Sequence, residues 1–278
     1  MTIINTNINA TFAHTALTTN SRAQTAAMQQ LSTGKRINGA KDDAAGLAMS
    51  ETMTAQIRGL NMAVRNANDA VSLLQTADGA MIEQTNMMQR MRELAVQAST
   101  DTVTTTDKAS IDLEFAALSS EIDRIGNNTQ WDGKNLLDAS GGTTQGTYNF
   151  QVGANQNQMI TVKIGKLTST GALSDISLQS VSTTAAAGSA ITKIDNALAA
   201  LAGQRAVIGA GMNRLTYAAD NLANVSQNAT DSRSRILDTD YATATTALSR
   251  TQIISQAATA MLAQANQQPQ TVLSLLKG

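Results

Sequence analysis

Residues Leu74 to Ala98 read LQTADGAMIEQTNMMQRMRELAVQA. Within them Leu74, Ala77, Met81, Gln84, Met88, Met91, Ala95 and Ala98 recur at alternating spacings of three and four. That alternation is a heptad seam on one face of a helix, with Gln84 its one polar member. A second stripe of the same period lies far away in the chain: Leu198, Leu201, Arg205, Ile208, Met212, Leu215, Ala219 and Leu222, with Arg205 its one charged member. The first stripe predicts a helix ending near Ser99, the second a helix over about 185–229. A helix of about 30 residues is about 45 Å long, and neither can bury its stripe alone. The simplest solution packs the two halves of the chain lengthwise against each other in a helical bundle.

The composition narrows the function. Charged residues make up 15% of the 278-residue chain, against roughly 25% in an ordinary soluble protein. A net charge of -1 offers no basic field for nucleic acid and no polybasic membrane patch. With three Phe, three Tyr and one Trp, packing falls to Ala, Leu, Ile, Val and Met. The absence of Cys removes disulfides, thiolate catalysis and cysteine metal sites, and His14 alone makes no histidine cluster. No cofactor is expected. No cationic start or apolar core marks Met1 to Ala10 as a cleaved leader, and no run of about 18 apolar residues spans a bilayer. Those signals alone read as cytoplasmic.

Along the chain, Ile8, Phe12, Ala16, Ala23, Ala27 and Leu31 mark a loose helical face diluted by Thr and Asn. Such a segment is marginal in isolation and is expected to order only when something packs against it. Residues 31–50, LSTGKRINGAKDDAAGLAMS, break the period with Gly34, Gly39 and Gly46 and gather Lys35, Arg36, Lys41, Asp42 and Asp43. The phosphate-cradling GxxxxGK[ST] pattern is missing, as are the spaced oxygen ligands of a calcium loop. An ordered turn with internal ion pairs is therefore expected here.

After the first heptad helix, STDTVTTTD (Ser99–Asp107) is a break, with Asp107 placed to cap a helix over about 108–127. Beyond it the period changes. Trp131, Asp132 and Gly133 mark a turn; Tyr148, Phe150 and Val152 alternate with polar residues, as do Ile160, Val162 and Ile164 after a turn at 155–158. These read as one or two β-hairpins. Thr143, Thr144, Ser169 and Thr170 lie in loops open to O-linked sugars. A last helix over about 243–267 carries Leu248, Ile253, Ile254, Ala257, Met261 and Leu262; Pro269 is expected to end it, leaving Leu273, Leu275 and Leu276 as an apolar terminus. The fold class is mainly α: a long antiparallel coiled-coil or helical bundle formed by both chain ends, with a small β-hairpin insert.

LSTGKRIN (Leu31–Asn38) followed by AKDDAAGLA (Ala40–Ala48) closely resembles the signature of bacterial flagellin. The likeness continues through Gln56 to Leu60, Arg65, Asn66, Asp69 and SLLQTADGA (Ser72–Ala80). It returns in SRILDTDYA (Ser234–Ala242) and MLAQANQQPQTVLSLL (Met261–Leu276). Both ends match and the middle does not. The resemblance implies an inner terminal coiled-coil domain of 1–44 with 238–278, an outer helical bundle of 45–130 with 183–237, and a β-hairpin insert at 131–182. It resembles a short form without large outer domains, and metal ligands for a protease are missing.

The resemblance further implies a non-enzymatic subunit that polymerises with its own copies into the extracellular flagellar filament. It implies export unfolded through the flagellar export apparatus without a cleaved leader, with a chaperone shielding the apolar C-terminus, and contacts with filament cap and hook-junction proteins. This overrides the cytoplasmic reading. Polymerisation and chaperone candidates are Leu248, Ile253, Ile254, Met261, Leu262, Leu273 and Leu276, with Ile8, Phe12 and Leu31 at the N-terminal end. QRMRELAVQ (Gln89–Gln97) resembles the stretch of flagellins recognised by vertebrate toll-like receptor 5, which nominates Gln89, Arg90, Leu94 and Glu114. With Met88 at heptad position a, Arg90 falls at c and Leu94 at g, flanking the seam on a more exposed face. Competing readings are a hook–filament junction protein, with similar but less complete motifs, and a secreted coiled-coil effector, which needs no matching ends. An enzyme is the weakest reading, because no nucleophile, base and orienting group share a recognisable spacing.

Overall fold

The structure, a computed structural model, describes residues 7–143, 145–168, 171–174 and 179–277, with side chains described as far as residue 267. Thr144, Ser169, Thr170 and the side chains of Leu273, Leu275 and Leu276 thus lie outside the described residues. The elements are α1 (Ile8–Thr33), α2 (Ala44–Ala98), α3 (Thr105–Asn128), β1 (Gln130–Trp131), β2 (Lys134–Asn135), β3 (Thr147–Gln151), β4 (Met159–Lys163), α4 (Thr184–Leu237) and α5 (Tyr241–Lys277). They divide into a terminal unit, residues 1–55 with 228–278, and a central unit, residues 56–227.

The central unit is organised by α2. All eight residues of its heptad stripe, Leu74 through Ala98, are completely buried. Cross-links fix its partners. Asn61, Asp78 and Arg92 meet Ser226, Arg205 and Asp195, so α4 runs antiparallel to α2. Arg90 meets Glu114, and Gln84 donates through Nε2 to the Ile122 carbonyl at 3.2 Å, so α3 is antiparallel as well. Serving two neighbours widens the buried stripe beyond a two-helix seam, and Leu73 and Leu94 join it. Gln84 Nε2 donates also to the Leu167 carbonyl at 3.2 Å, clamping the loop after β4 onto the helices. The α3 cap is Thr104 rather than Asp107: Thr104 Oγ1 accepts from the Asp107 amide, and Asp107 sits in the first turn.

The α4 stripe departs from the sequence reading. Leu201, Ile208 and Leu215 are fully buried, but Leu198 and Met212 are only partly so. Ala197 and Gly211, one position earlier, face inward instead. The reason is β4. A Cβ on Gly211 would lie 2.8 Å from Val162 Cγ2, so only glycine admits the strand there. Strands β3 and β4 pair antiparallel with Tyr148 opposite Val162 and Phe150 opposite Ile160. Asp132 and Gly133, at φ 49° and 72°, make the two-residue primed turn between β1 and β2. Tyr148 donates its hydroxyl to the Asn135 carbonyl at 3.0 Å and so joins the two hairpins.

In the terminal unit α1 pairs antiparallel with α5, as Asn7 and Asn20 bond to the carbonyls of Ala265 and Thr251. The loop after α1 is stitched to the α4–α5 junction: Arg36 N donates to Leu237 O at 2.7 Å, and Thr239 N to Gly34 O at 3.0 Å. Gly34, at φ 69°, closes α1 in the left-handed cap that glycine favours. The expected ion pairs of the charged loop do not form among the described residues. Asp42 instead accepts from the amides of Asn38 and Gly39, and Asp43 from that of Gly46. Two short carboxylates beside a tight turn find backbone amides before they find lysines. The last helix does not end at Pro269 but continues to Lys277.

Two outcomes follow from this packing. Gly211→Val overpacks the β4 contact and should cost about 1–3 kcal/mol; an unchanged urea-unfolding midpoint would contradict the Val162 contact. Asp240 accepts from Thr243 Oγ1 at 2.7 Å and from the Ala242 amide at 3.0 Å, which holds its pKa below the usual carboxylate value. A lowered folded pKa gives stability that is present above the unfolded pKa and lost as pH falls through the folded one. Asp240→Ala should therefore flatten the acid limb of helix loss followed by circular dichroism; an identical acid limb would exclude the cap.

Candidate assembly face

The two units differ in how much apolar surface they cover. The central unit buries Met81, Met88, Met91, Leu74, Phe115, Ile194, Leu201 and their neighbours in one continuous core. Among the described residues, the terminal unit fully buries only Ala27, Ile37 and Ala244 as apolar side chains, beside polar Asn20, Ser50 and Thr251. Burying an alanine contributes little, since apolar burial gives roughly 25 cal/mol per Å².

The seam itself is regular. On α1 it runs through Ala10, Ala13, Leu17, Asn20, Gln24 and Ala27; on α5 it runs through Ala244, Leu248, Thr251, Ser255, Ala258, Leu262 and Ala265. Both follow the alternation of threes and fours, mostly in small or polar residues, with Leu17, Leu248 and Leu262 the large exceptions. Thus the stripe expected from Ile8, Phe12, Ala16 and Ala23 is not the one α1 uses, because those four are exposed. Large side chains would hold the two helices apart, whereas Ala and Asn allow close approach and direct bonds between them.

The larger apolar residues are left outside. Phe12 is 78% exposed, Ile8 60%, Ile253 66% and Met261 66%, and Ile254 is also exposed. Leu31, Leu248 and Leu262 are half-buried along the seam. Phe12 and Ala16 line two adjoining open grooves between α1 and α5, one walled by Ala247, Thr251 and Ile254, the other by Ala258 and Met261. Among the described residues, the polymerisation candidates therefore sort into seam positions and an uncovered apolar face. Asn7 and Asn20, which cross-link the pair, escaped the sequence reading; Asn20 sits on the seam heptad, whereas Asn7 precedes the helix as its N-cap.

The receptor candidates lie in the central unit. Gln89, Arg90 and Glu114 are exposed, and Arg90 Nε donates to Glu114 Oε1 at 3.0 Å, joining α2 to α3. The bond from Glu114, with one from Glu93, raises the guanidinium pKa above its ordinary value. Leu94 departs from its expected exposed placement: it is 2% exposed, drawn inward by the third helix. It supports this surface from beneath. No group of three or more potential metal-ligating side chains assembles among the described residues, and no helix there is long and apolar enough to cross a membrane.

A chain whose two ends pair as long helices, whose middle is a helical bundle with a β insert, and whose terminal apolar residues lie uncovered belongs to the class of helical subunits. The sequence matches the bacterial flagellin N-terminal helical region over residues 4–141 and the bacterial flagellin C-terminal helical region over residues 191–276. It is 45% identical over 275 residues to a flagellin of Halalkalibacterium halodurans, covering 99% of this chain and 100% of that one. It is 41% identical over 302 residues to a flagellin of Bacillus subtilis, covering 99% of each. Among solved structures it is similar to the crystal structure of Bacillus cereus flagellin, with a TM-score of 0.51 at 33% identity over 57% of this chain and 88% of that one. The chain belongs to the bacterial flagellin family.

Because Phe12 and Met261 touch little within the chain, Phe12→Ser and Met261→Ser should shift the unfolding midpoint of the isolated chain negligibly. A marked loss of stability would show that these residues belong to an internal core.

Proposed function

We propose that the chain is a structural subunit that self-assembles into the bacterial flagellar filament and serves motility as a scaffold rather than as a catalyst. Family membership at both ends supports this, and the observation that carries the mechanism is the uncovered face of Phe12, Ile254 and Met261 beside a seam of small residues. Copies of the chain stack by heterologous contacts that do not close into a ring, giving an open helical tube. Neighbouring copies cover the apolar face, so ordering of the ends and assembly are one coupled event. The inner domain, 1–44 with 238–278, forms the assembling part; the outer bundle, 45–130 with 183–237, carries the insert 131–182. The subunit works outside the cell and is exported unfolded. Before export a chaperone covers the apolar C-terminal segment that contains Leu262, Leu273 and Leu276, and cap and hook-junction proteins meet the filament ends.

Seeded elongation tests this: purified chain is added to short fragments of its own filament and followed by light scattering and electron microscopy. Long tubes are expected, and Phe12→Ser or Met261→Ser should slow growth by about tenfold or more, given roughly 1.5–3 kcal/mol for a buried large apolar side chain. Monomer that persists beside intact seeds would favour a junction protein or a secreted effector instead.

We also propose that Gln89, Arg90 and Glu114 form the contact for toll-like receptor 5 on free subunits, with Leu94 holding the α2 surface in place. The Arg90–Glu114 pair is surface-exposed and adds little to stability. Arg90→Ala with Glu114→Ala should therefore weaken receptor signalling by monomers while leaving the unfolding midpoint nearly unchanged. Full signalling by the double variant would end the proposal.

A further inference from the structure

The α1–α5 seam is a poor ruler. Its residues are mostly small and its few leucines, Leu17, Leu248 and Leu262, are only half-buried, so sliding one helix along the other by a heptad, about 10 Å, meets less steric resistance than in a seam of large side chains. Such slips are held off elsewhere by polar groups that are satisfied in one register only. Two are present here. Asn20 Nδ2 donates to the Thr251 carbonyl at 2.7 Å, buried in the seam. Asn7 Nδ2 donates to the Ala265 carbonyl at 2.8 Å, at nearly the same separation along both helices.

The Ala265 carbonyl is not an arbitrary acceptor. Within a helix it would receive the amide of the residue four positions on, and that residue is Pro269, which has no N–H. The helix continues past this point, so the carbonyl needs a donor from outside α5, and Asn7 supplies it. The same Asn7 side chain caps α1, its Oδ1 accepting from the Ala10 amide at 3.0 Å. One amide group thus fixes where α1 begins and which turn of α5 lies opposite.

We propose that Asn7 and Pro269 are a matched pair of positioning residues: proline frees one carbonyl on α5, and asparagine reads it, setting the register of the two chain ends. The partner is the chain itself, and the consequence rests on the filament reading above: register decides whether Phe12 on α1 stands level with Met261 and Ile254 on α5, and so whether the face shown to a neighbouring copy is continuous.

A double-mutant cycle tests the pairing. Serine retains the cap but is too short to reach Ala265, so Asn7→Ser removes only the clip; Pro269→Ala returns an N–H to the Ala265 carbonyl. Amide hydrogen exchange is measured for α1 and α5 in the full chain, both free and in sedimented polymer. In the Pro269 chain, Asn7→Ser should accelerate exchange of the first turns of α1 and of the turn around Ala265 by about fivefold or more. In the Pro269→Ala chain the same change should matter less than about twofold. Equal acceleration in both backgrounds, or amides unprotected in both forms of the unmodified chain, would overturn the proposal. Failure of the unmodified chain to form sedimentable polymer would instead count against the filament reading, while exchange in the free chain still reports on the clip.

Discussion

The rest of the structure depends on a conflict at the α1–α5 seam. Two helices need an apolar stripe to stay paired in water, yet the residues that meet there are mostly Ala, Ser, Thr and Asn with a few half-buried leucines, and Ile8, Phe12, Ile253 and Met261 lie beside the seam in the open. Direct bonds from two asparagines cross the pair beside this modest apolar burial. Such a pair is incomplete by itself. In the proposed assembly further copies supply the missing apolar contacts, and folding of the ends and joining of subunits would then be the same free-energy event.

The central unit solves the opposite problem. Its α2 buries every member of its stripe and serves two antiparallel neighbours at once, with flexible methionines filling the irregular space left by a nearly aromatic-free sequence. Gln84 is the polar exception that the geometry uses, its amide nitrogen reaching a carbonyl on α3 and another in the loop after β4. Arg205, the exception on α4, stands at the seam edge with Asp78 at 2.8 Å. The central unit thus covers its own apolar core while the terminal unit leaves most of its large apolar side chains exposed, a division that the proposed assembly would use.

Much of this was legible in the sequence. The α2 stripe could be read residue by residue because large apolar side chains and period agreed there. The α4 stripe was read one position off at Met212 and Leu198, because the eye follows bulk, whereas a β-strand pressing on Gly211 rewards its absence. The α1 face was read from Ile8 and Phe12 as one that needs an outside partner; both are exposed, and the seam toward α5 runs instead through Ala10, Ala13 and Leu17, which bulk does not mark. The hairpins followed from Asp132–Gly133 and the alternation at Tyr148 and Phe150, while the burial of Leu94 needed knowledge of a third helix. Pro269 was taken as a helix stop; a donor more than 250 residues away by sequence, at Asn7, is invisible to any local rule.

The central claim is that copies of the chain cover the uncovered face. Helical reconstruction of its filaments by electron microscopy tests it most directly. The account requires side chains of neighbouring subunits packed on Phe12, Ile254 and Met261, with α1 and α5 continuous and in register. Filaments in which those residues face a water-filled channel, with subunits joined only through their central units, would contradict it.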